Sequence, residues 1–102
     1  MDYTRSMLEI RKTPAFDAWF AGLRDRQARA WISVRIDRLA LGNFGDVKPV
    51  GSGVSELRID YGPGYRVYFV RRGASLVVLL AGGDKRTQDR DIKTALGLAQ
   101  KL

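Results

Sequence analysis

Between Val54 and Ala81 the chain contains three strand-like segments in succession, Val54–Asp60, Tyr65–Arg71 and Leu76–Ala81, with two very short connections between them. Gly62-Pro63-Gly64 and Arg72-Gly73-Ala74 leave room for little but hairpins, so the three segments must lie side by side and antiparallel. The first two alternate in character. Leu57, Ile59, Val67 and Phe69 fall on one side, while Glu56, Arg58, Asp60, Arg66, Tyr68 and Val70 share the other. The third is apolar on both sides, which suits an internal strand. Such a meander needs a further layer to cover its apolar face.

That layer is legible upstream. Met7 to Arg11 alternates apolar and charged residues, as a short half-buried strand does. Thr13-Pro14 is a helix start, with Thr as cap and Pro at the first helical position, where its missing N–H costs nothing. Phe16, Trp19, Phe20 and Leu23 follow at helical spacing, with Gly22 near the end. A second helix is expected from about Asp25 to Leu41, with Ala28, Ile32, Ile36 and Leu39 as its apolar stripe and Gly42-Asn43 as its stop. The two form an antiparallel helical hairpin. Arg24, Arg26, Arg29, Arg35 and Arg38 are spread around the remaining circumference without making one basic face, which fits a solvated helix as well as a nucleic-acid contact.

Phe44 to Gly53, with Gly45-Asp46, Pro49 and Gly51-Ser52-Gly53, reads as a loop. After the third strand, Ile92, Ala95, Leu96, Ala99 and Leu102 mark a last amphipathic helix whose first turn carries Asp89 and Asp91, the sign that suits its dipole. The order β-α-α-β-β-β-α predicts an α+β fold, a single domain over residues 1–102 with helices on one face of an antiparallel sheet and the other face partly open.

Composition narrows the chemistry. The chain has no His and no Cys, which removes disulfides, a thiol nucleophile, the usual zinc sites and the histidine general base. No metal and no cofactor is expected, and proton transfer is left to Lys, Tyr, Asp, Glu or a group of the substrate. Eighteen Lys and Arg against eleven Asp and Glu give a net charge of +7. That balance favours anionic partners, namely nucleic acid, a ribosome surface or an acidic protein, beside the plainer reading of a solubilising basic surface. The opening MDYTRSMLEIRK has charges where a signal peptide has its apolar core, and the longest apolar run, Leu76 to Ala81, is too short to span a bilayer. A cytoplasmic protein with no membrane contact is expected.

Two groups of residues carry candidate chemistry. Arg58 and Arg66 are near neighbours across the first hairpin, beside Glu56 and Tyr68. Paired arginines repel unless something anionic joins them, either Glu56 or a bound phosphate. Both readings fit together, because a carboxylate often holds an arginine ready for a ligand. The second group, Gly82-Gly83-Asp84-Lys85-Arg86, leaves the third strand and enters the last helix. Its glycines would permit a sharp bend and a close approach of ligand, with Lys85 and Arg86 at a helix start that favours phosphate. The P-loop pattern GxxxxGK[ST] is absent, and GPGYR does not match GxGxxG.

The segments ELRIDYGPGYRVYF, LLAGGDKRTQ and DIKTA, in that order, resemble the RelE/ParE superfamily of type II toxin–antitoxin toxins. Within it the chain is most similar to the addiction module killer group, close to the HigB-like and phage Gp49-like toxins. The resemblance spans essentially the whole chain and implies a fold of a helical hairpin packed on an antiparallel sheet. It also implies a function, a ribosome-dependent mRNA endoribonuclease (mRNA interferase) that needs no metal and inhibits translation. The alternatives are a ParE-like DNA gyrase poison and a non-catalytic basic binding module. As implied by the resemblance, Arg66 matches the arginine of the family's GYR segment, Arg58 a basic position on the preceding strand, and Lys85 and Arg86 the KR after the last strand. These four are the expected catalytic residues.

The chain also departs from its relatives. Glu56 stands where RelE-type strands have a second lysine, and Ile92 where RelE has a tyrosine in its final helix. The histidine common in HigB-like enzymes is absent. The possible bases are then Glu56, Asp84 or a lysine of lowered pKa. Tyr68 is a ring for stacking on a nucleobase or, as is commoner for a strand tyrosine, for packing, and Lys93 a phosphate contact or, more commonly, a solvated lysine. The partners implied are messenger RNA, the ribosome and a cognate antitoxin of the helix-turn-helix DNA-binding type.

Overall fold

The alternation between Val54 and Phe69 is realised residue for residue. In the computed structural model, which describes residues 7–102, strands β3 (Val54–Ile59) and β4 (Tyr65–Arg72) pair antiparallel, Glu56 opposite Tyr68 and Arg58 opposite Arg66. Strand β5 (Leu76–Asp84) pairs antiparallel with β4 on its other side. Around this meander lie β1 (Glu9–Lys12), α1 (Pro14–Ala21), α2 (Arg26–Ala40), β2 (Val47–Gly51), a 3₁₀ turn (Lys85–Thr87) and α3 (Gln88–Gln100). The fold is α+β, with three helices on a five-stranded mixed sheet of order β1-β5-β4-β3-β2.

Both helix starts upstream take the caps the sequence offers. Thr13 accepts from the Phe16 N–H at the head of α1, and Asp25 accepts from the Gln27 and Ala28 N–H groups at the head of α2. Phe16, Ile32, Ile36 and Leu39 then close over Leu57, Ile59, Val67, Phe69, Val77 and Leu79 to form the main core.

Four features depart from the sequence expectation. The sheet is mixed, because β1 joins it parallel to β5, Glu9 opposite Leu76. Part of the expected loop at 44–53 is strand β2, which pairs with β3 at the sheet's edge. Pro49 lies on it, and a proline is tolerated there because an edge strand can leave one side unpaired. The helices do not share one face. Helix α3 packs on the side away from α1 and α2, where Ala95 and Ala99 meet Val54, Tyr68, Val70, Val78 and Leu80 in a second core. The face expected to be partly open is thus covered by α3, with Arg58 and Arg66 at one end of it and Arg72, donating to the Ala99 carbonyl, at the other.

Lastly, Gly82 and Gly83 do not bend the chain; they belong to β5. A bulge explains their role. Tyr68 pairs with Ala81 and Phe69 with Leu79, so Leu80 is an extra residue in β5 and reverses the facing of the residues after it. Gly82 turns toward α1 and Gly83 toward α3. A Cβ on Gly82 would lie 2.1 Å from the Trp19 ring, and one on Gly83 would lie 1.7 Å from the Asp91 carboxylate. The partners that approach these glycines are the protein's own helices, not a ligand.

The bulge also ties the sheet to α1, since the Thr13 hydroxyl donates to the Leu80 carbonyl at 2.6 Å while accepting from Phe16. Thr13→Ala removes both bonds and is expected to cost about 1–2 kcal/mol in urea unfolding. Thr13→Ser keeps the hydroxyl and should recover most of that loss. An equal loss in both variants would assign the effect to the methyl group instead.

Candidate functional site

The polar side of β3 and β4 is organised by one buried carboxylate. Glu56 has no exposed surface. Its Oε1 accepts from Arg58 Nε at 3.0 Å, and its Oε2 accepts from the Tyr68 hydroxyl at 3.0 Å and from Gln88 Nε2 at 2.7 Å. Arg66 Nε stands 3.6 Å from Oε1, near enough for charge but too far for a hydrogen bond, and that buried nitrogen has no other partner. Arg66 Nη1 donates to the Tyr65 carbonyl at 3.2 Å. Burial pulls the Glu56 pKa upward, but the bonds from Gln88, Arg58 and Tyr68 and the charge of Arg66 outweigh it and hold the group below the usual glutamate value. Glu56 is therefore an ionised anchor, and it keeps two arginines side by side that would otherwise repel.

Both arginines open onto a cleft of ≈ 370 Å³ lined also by Lys85, by Gly62, Pro63 and Gly64, and by two carboxylates, Asp46 and Asp60. The hairpin turn reaches its place because Gly64 adopts φ +82 and its carbonyl accepts from the Lys85 N–H at 2.9 Å. That bond draws the β3–β4 turn against the end of β5 and sets Lys85 beside the arginines. The wall behind Arg58 is fixed from α2, where Arg35 donates to the Arg58 and Phe44 carbonyls.

Arg58, Arg66 and Lys85 thus meet in one cleft, and their residue types suit a phosphodiester. Arg86 is not among the lining residues. It is mostly exposed and pairs with Asp84, Nη2 to Oδ2 at 3.1 Å. Asp84 in turn caps the 3₁₀ turn through the Arg86 N–H at 2.8 Å, and the Arg86 contact holds its pKa down.

The sequence of this chain matches the family described as "Phage derived protein Gp49-like (DUF891)" over residues 18–101. The chain belongs to the Gp49-like family. It is also 54% identical over 95 residues to an uncharacterized protein of Haemophilus influenzae, a match covering 93% of this chain and 96% of that one. The Gp49-like family is toxin-like and related to the RelE/ParE-type addiction proteins.

Several residues singled out from the Gp49-like sequence are placed differently from their expected roles. Tyr68 is fully buried beneath α3, and burial together with its bond to Glu56 raises its pKa. Its ring has no face to offer a nucleobase, so the stacking expectation is corrected. Glu56, with no exposed surface and both oxygens engaged, has no path to a substrate proton. Asp84 has a lowered pKa and is engaged by Arg86, which makes it a weak base. Lys93 is exposed on α3, two residues or about 200° from both Asp91 and Ala95, which face the sheet, so it points away from the cleft side.

Sequence reading missed Gln88, the first residue of α3, which supplies the shortest bond to Glu56. It also took Arg35 for one more surface arginine, whereas Arg35 pins β3 and the loop before β2. Among the described residues, no group of three or more His, Cys, Asp or Glu is placed to hold a metal ion. No helix among them is long and apolar enough to cross a membrane.

Proposed function

We propose that this Gp49-like chain is the toxin of a type II toxin–antitoxin module, acting as a ribosome-dependent mRNA endoribonuclease of the killer and HigB-like kind. The observation that carries this reading is the convergence of Arg58 and Arg66, aligned by the buried Glu56, with Lys85 in one open cleft. Three cations around a cavity of that size match a phosphodiester whose charge grows as it becomes pentavalent. The 2′-oxygen of the upstream ribose attacks phosphorus, its proton leaves, and the bond from phosphorus to the 5′-oxygen breaks. The products are a 2′,3′-cyclic phosphate and a 5′-hydroxyl.

In this reading Arg58 and Arg66 hold the non-bridging oxygens. Guanidinium groups stay protonated and do not serve as acid or base. Lys85 is the cleft cation with a transferable proton, and it donates to the departing 5′-oxygen. The proton of the 2′-hydroxyl passes to Asp46 or Asp60, the carboxylates that line the cleft, or to water, since Glu56 and Asp84 are already engaged. Arg86 and Lys93 are left to phosphates outside the cleft. A cognate antitoxin, carrying a helix-turn-helix DNA-binding domain, neutralises the protein.

Primer extension on a reporter messenger in a reconstituted translation reaction tests the proposal. Codon-phased cuts are expected with ribosomes present, and Arg66→Ala should reduce their rate by about 10²–10³-fold. Intact messenger with accumulated cleaved DNA would point to gyrase poisoning instead. Intact messenger and DNA together, with unimpaired growth, would leave a basic binding module.

A further inference from the structure

Helix α2 has a second stripe that the core does not use. Ala28, Ile32, Ile36 and Leu39 are buried against the sheet. On the opposite side, Gln27, Trp31, Val34, Arg38 and Leu41 recur at intervals of four and three residues, which places them in one row. Trp31 is 44% exposed, Val34 39% and Leu41 40%. Three large apolar side chains repeated at that spacing on a solvent face form a strip of the kind that marks an interaction site. Trp31 moreover stands between two shallow grooves. One is lined by Gln27, Ala30, Trp31 and Val34, and the other by Trp31, Arg35, Arg38, Ile59 and Asp60.

The second groove carries the argument further, because Asp60 also lines the cationic cleft. The row on α2 and the cleft of Arg58, Arg66 and Lys85 are therefore joined through one residue. Arg35 links them physically as well, since it lies in the α2 groove while bonded to the Arg58 carbonyl. A single extended partner lying along α2 and past Asp60 borders both surfaces.

The chemistry of the surface selects its occupant. An apolar row with Trp as its anchor fits the apolar face of an amphipathic helix, the helix-in-groove mode of recognition. The cations beside it, Arg35 and Arg38, outnumber Asp60 in the same groove, and Arg58, Arg66 and Lys85 outnumber Asp46 and Asp60 in the cleft beyond. The balance selects carboxylates on that helix and its continuation. A second copy of this chain is a poor fit, because it would bring another +7 against the same surface. RNA is a poor fit too, since the centre of the row offers an apolar surface in place of phosphate contacts.

We propose that the outer face of α2 is the docking surface for an acidic amphipathic helix of the antitoxin, whose acidic continuation runs past Asp60 into the cleft. This rests on reading the chain as the toxin of a toxin–antitoxin pair. It adds where the partner sits and what kind of segment it presents.

The test uses purified cognate antitoxin titrated against the full chain and three variants, Trp31→Ala, Val34→Glu and Arg38→Glu. All three residues are exposed, and thermal unfolding checks that each variant keeps the wild-type fold. Affinity is expected to fall roughly thirtyfold or more for Trp31→Ala, the size of a truncated aromatic anchor, and further for Val34→Glu. Arg38→Glu should slow association and weaken its dependence on salt. Messenger cleavage by the free variants, measured separately, should match wild type.

Unchanged antitoxin affinity in all three variants would overturn the proposal. So would unchanged antitoxin affinity with weakened ribosome binding, which would make α2 an RNA or ribosome contact. A wild-type chain that fails to cut messenger, while Trp31→Ala still loses the antitoxin, would remove the nuclease reading and support the docking surface.

Discussion

Glu56→Ala is expected to lower the free energy of unfolding by about 3–5 kcal/mol, the cost of leaving buried charges without their partner. The carboxylate is wholly enclosed and touches four side chains at once, Arg58, Arg66, Tyr68 and Gln88. Its removal strips the Tyr68 hydroxyl and the Gln88 amide of their acceptor and sets two guanidinium groups against each other across β3 and β4. Urea unfolding measures the effect directly, and a loss under about 1 kcal/mol would mean that water takes over the acceptor role.

Acid should reproduce part of the same loss. The pKa of Glu56 lies below the ordinary value of 4.5 in the folded state. Its contribution is therefore fully present above that value, and it disappears as pH falls through the lower folded pKa. Glu56→Gln should flatten the wild-type dependence of stability on pH below about 4.5.

Gly82→Ala is expected to be nearly as damaging. The added methyl would stand 2.1–2.4 Å from three atoms of the Trp19 ring. That ring is itself wedged between Phe16, at 5.8 Å between centroids, and Tyr65, at 6.3 Å. A rigid indole with neighbours on both sides cannot swing away as a flexible chain end would, so α1 must lift from β5. Overpacking of this kind costs about 1–3 kcal/mol and occasionally more, and the upper part of that range is expected here. The Trp19 fluorescence should shift to the red as water reaches it. Trp19→Leu combined with Gly82→Ala should cost less than the two single losses added together, because the two changes share one cause. Strict additivity would place the strain elsewhere.

Much of this was legible in the sequence, and the failures share a cause. The meander, both hairpin turns, the Thr13 and Asp25 helix starts and the two faces of β3 and β4 all arise from local pattern, and local pattern was enough. Glu56 beside Arg58 and Arg66 was readable for the same reason, since cross-strand neighbours are fixed once the hairpin is. The features that escaped depend on partners remote in the chain. Strand β2 contains Pro49 and Gly51, both turn formers, and its strand character comes from pairing with β3. The parallel union of β1 with β5 has no local mark. The side chosen by α3 was hinted at by Val70, Val78 and Leu80, which made the second face of the sheet apolar, but the hint competed with the cations on the same face.

Gly82 and Gly83 misled because glycine signals both a bend and a close approach, and only the packed helices show which applies. Gln88 gave no signal at all, since a glutamine in a first helical turn is ordinary until a buried carboxylate lies beneath it. Placement beneath α3 likewise turned Tyr68 and Glu56 from candidates for direct contact with substrate into supports for the arginines.

The pairing of β1 with β5 has a consequence in time. Among the described residues the first strand is held by the last, with Glu9 against Leu76, and Thr13 waits for the carbonyl of Leu80. The Glu56 cluster is likewise incomplete until Gln88 arrives. During synthesis the early segments emerge with no sheet to join, and the contacts that finish the fold span most of the chain's length, a topology that assembles slowly and as a unit. The cleft cannot form on a nascent chain whose C-terminal part is still inside the ribosome. The cations are thus aligned only once the residues through Gln88 have emerged, and a shorter nascent chain presents no cleft.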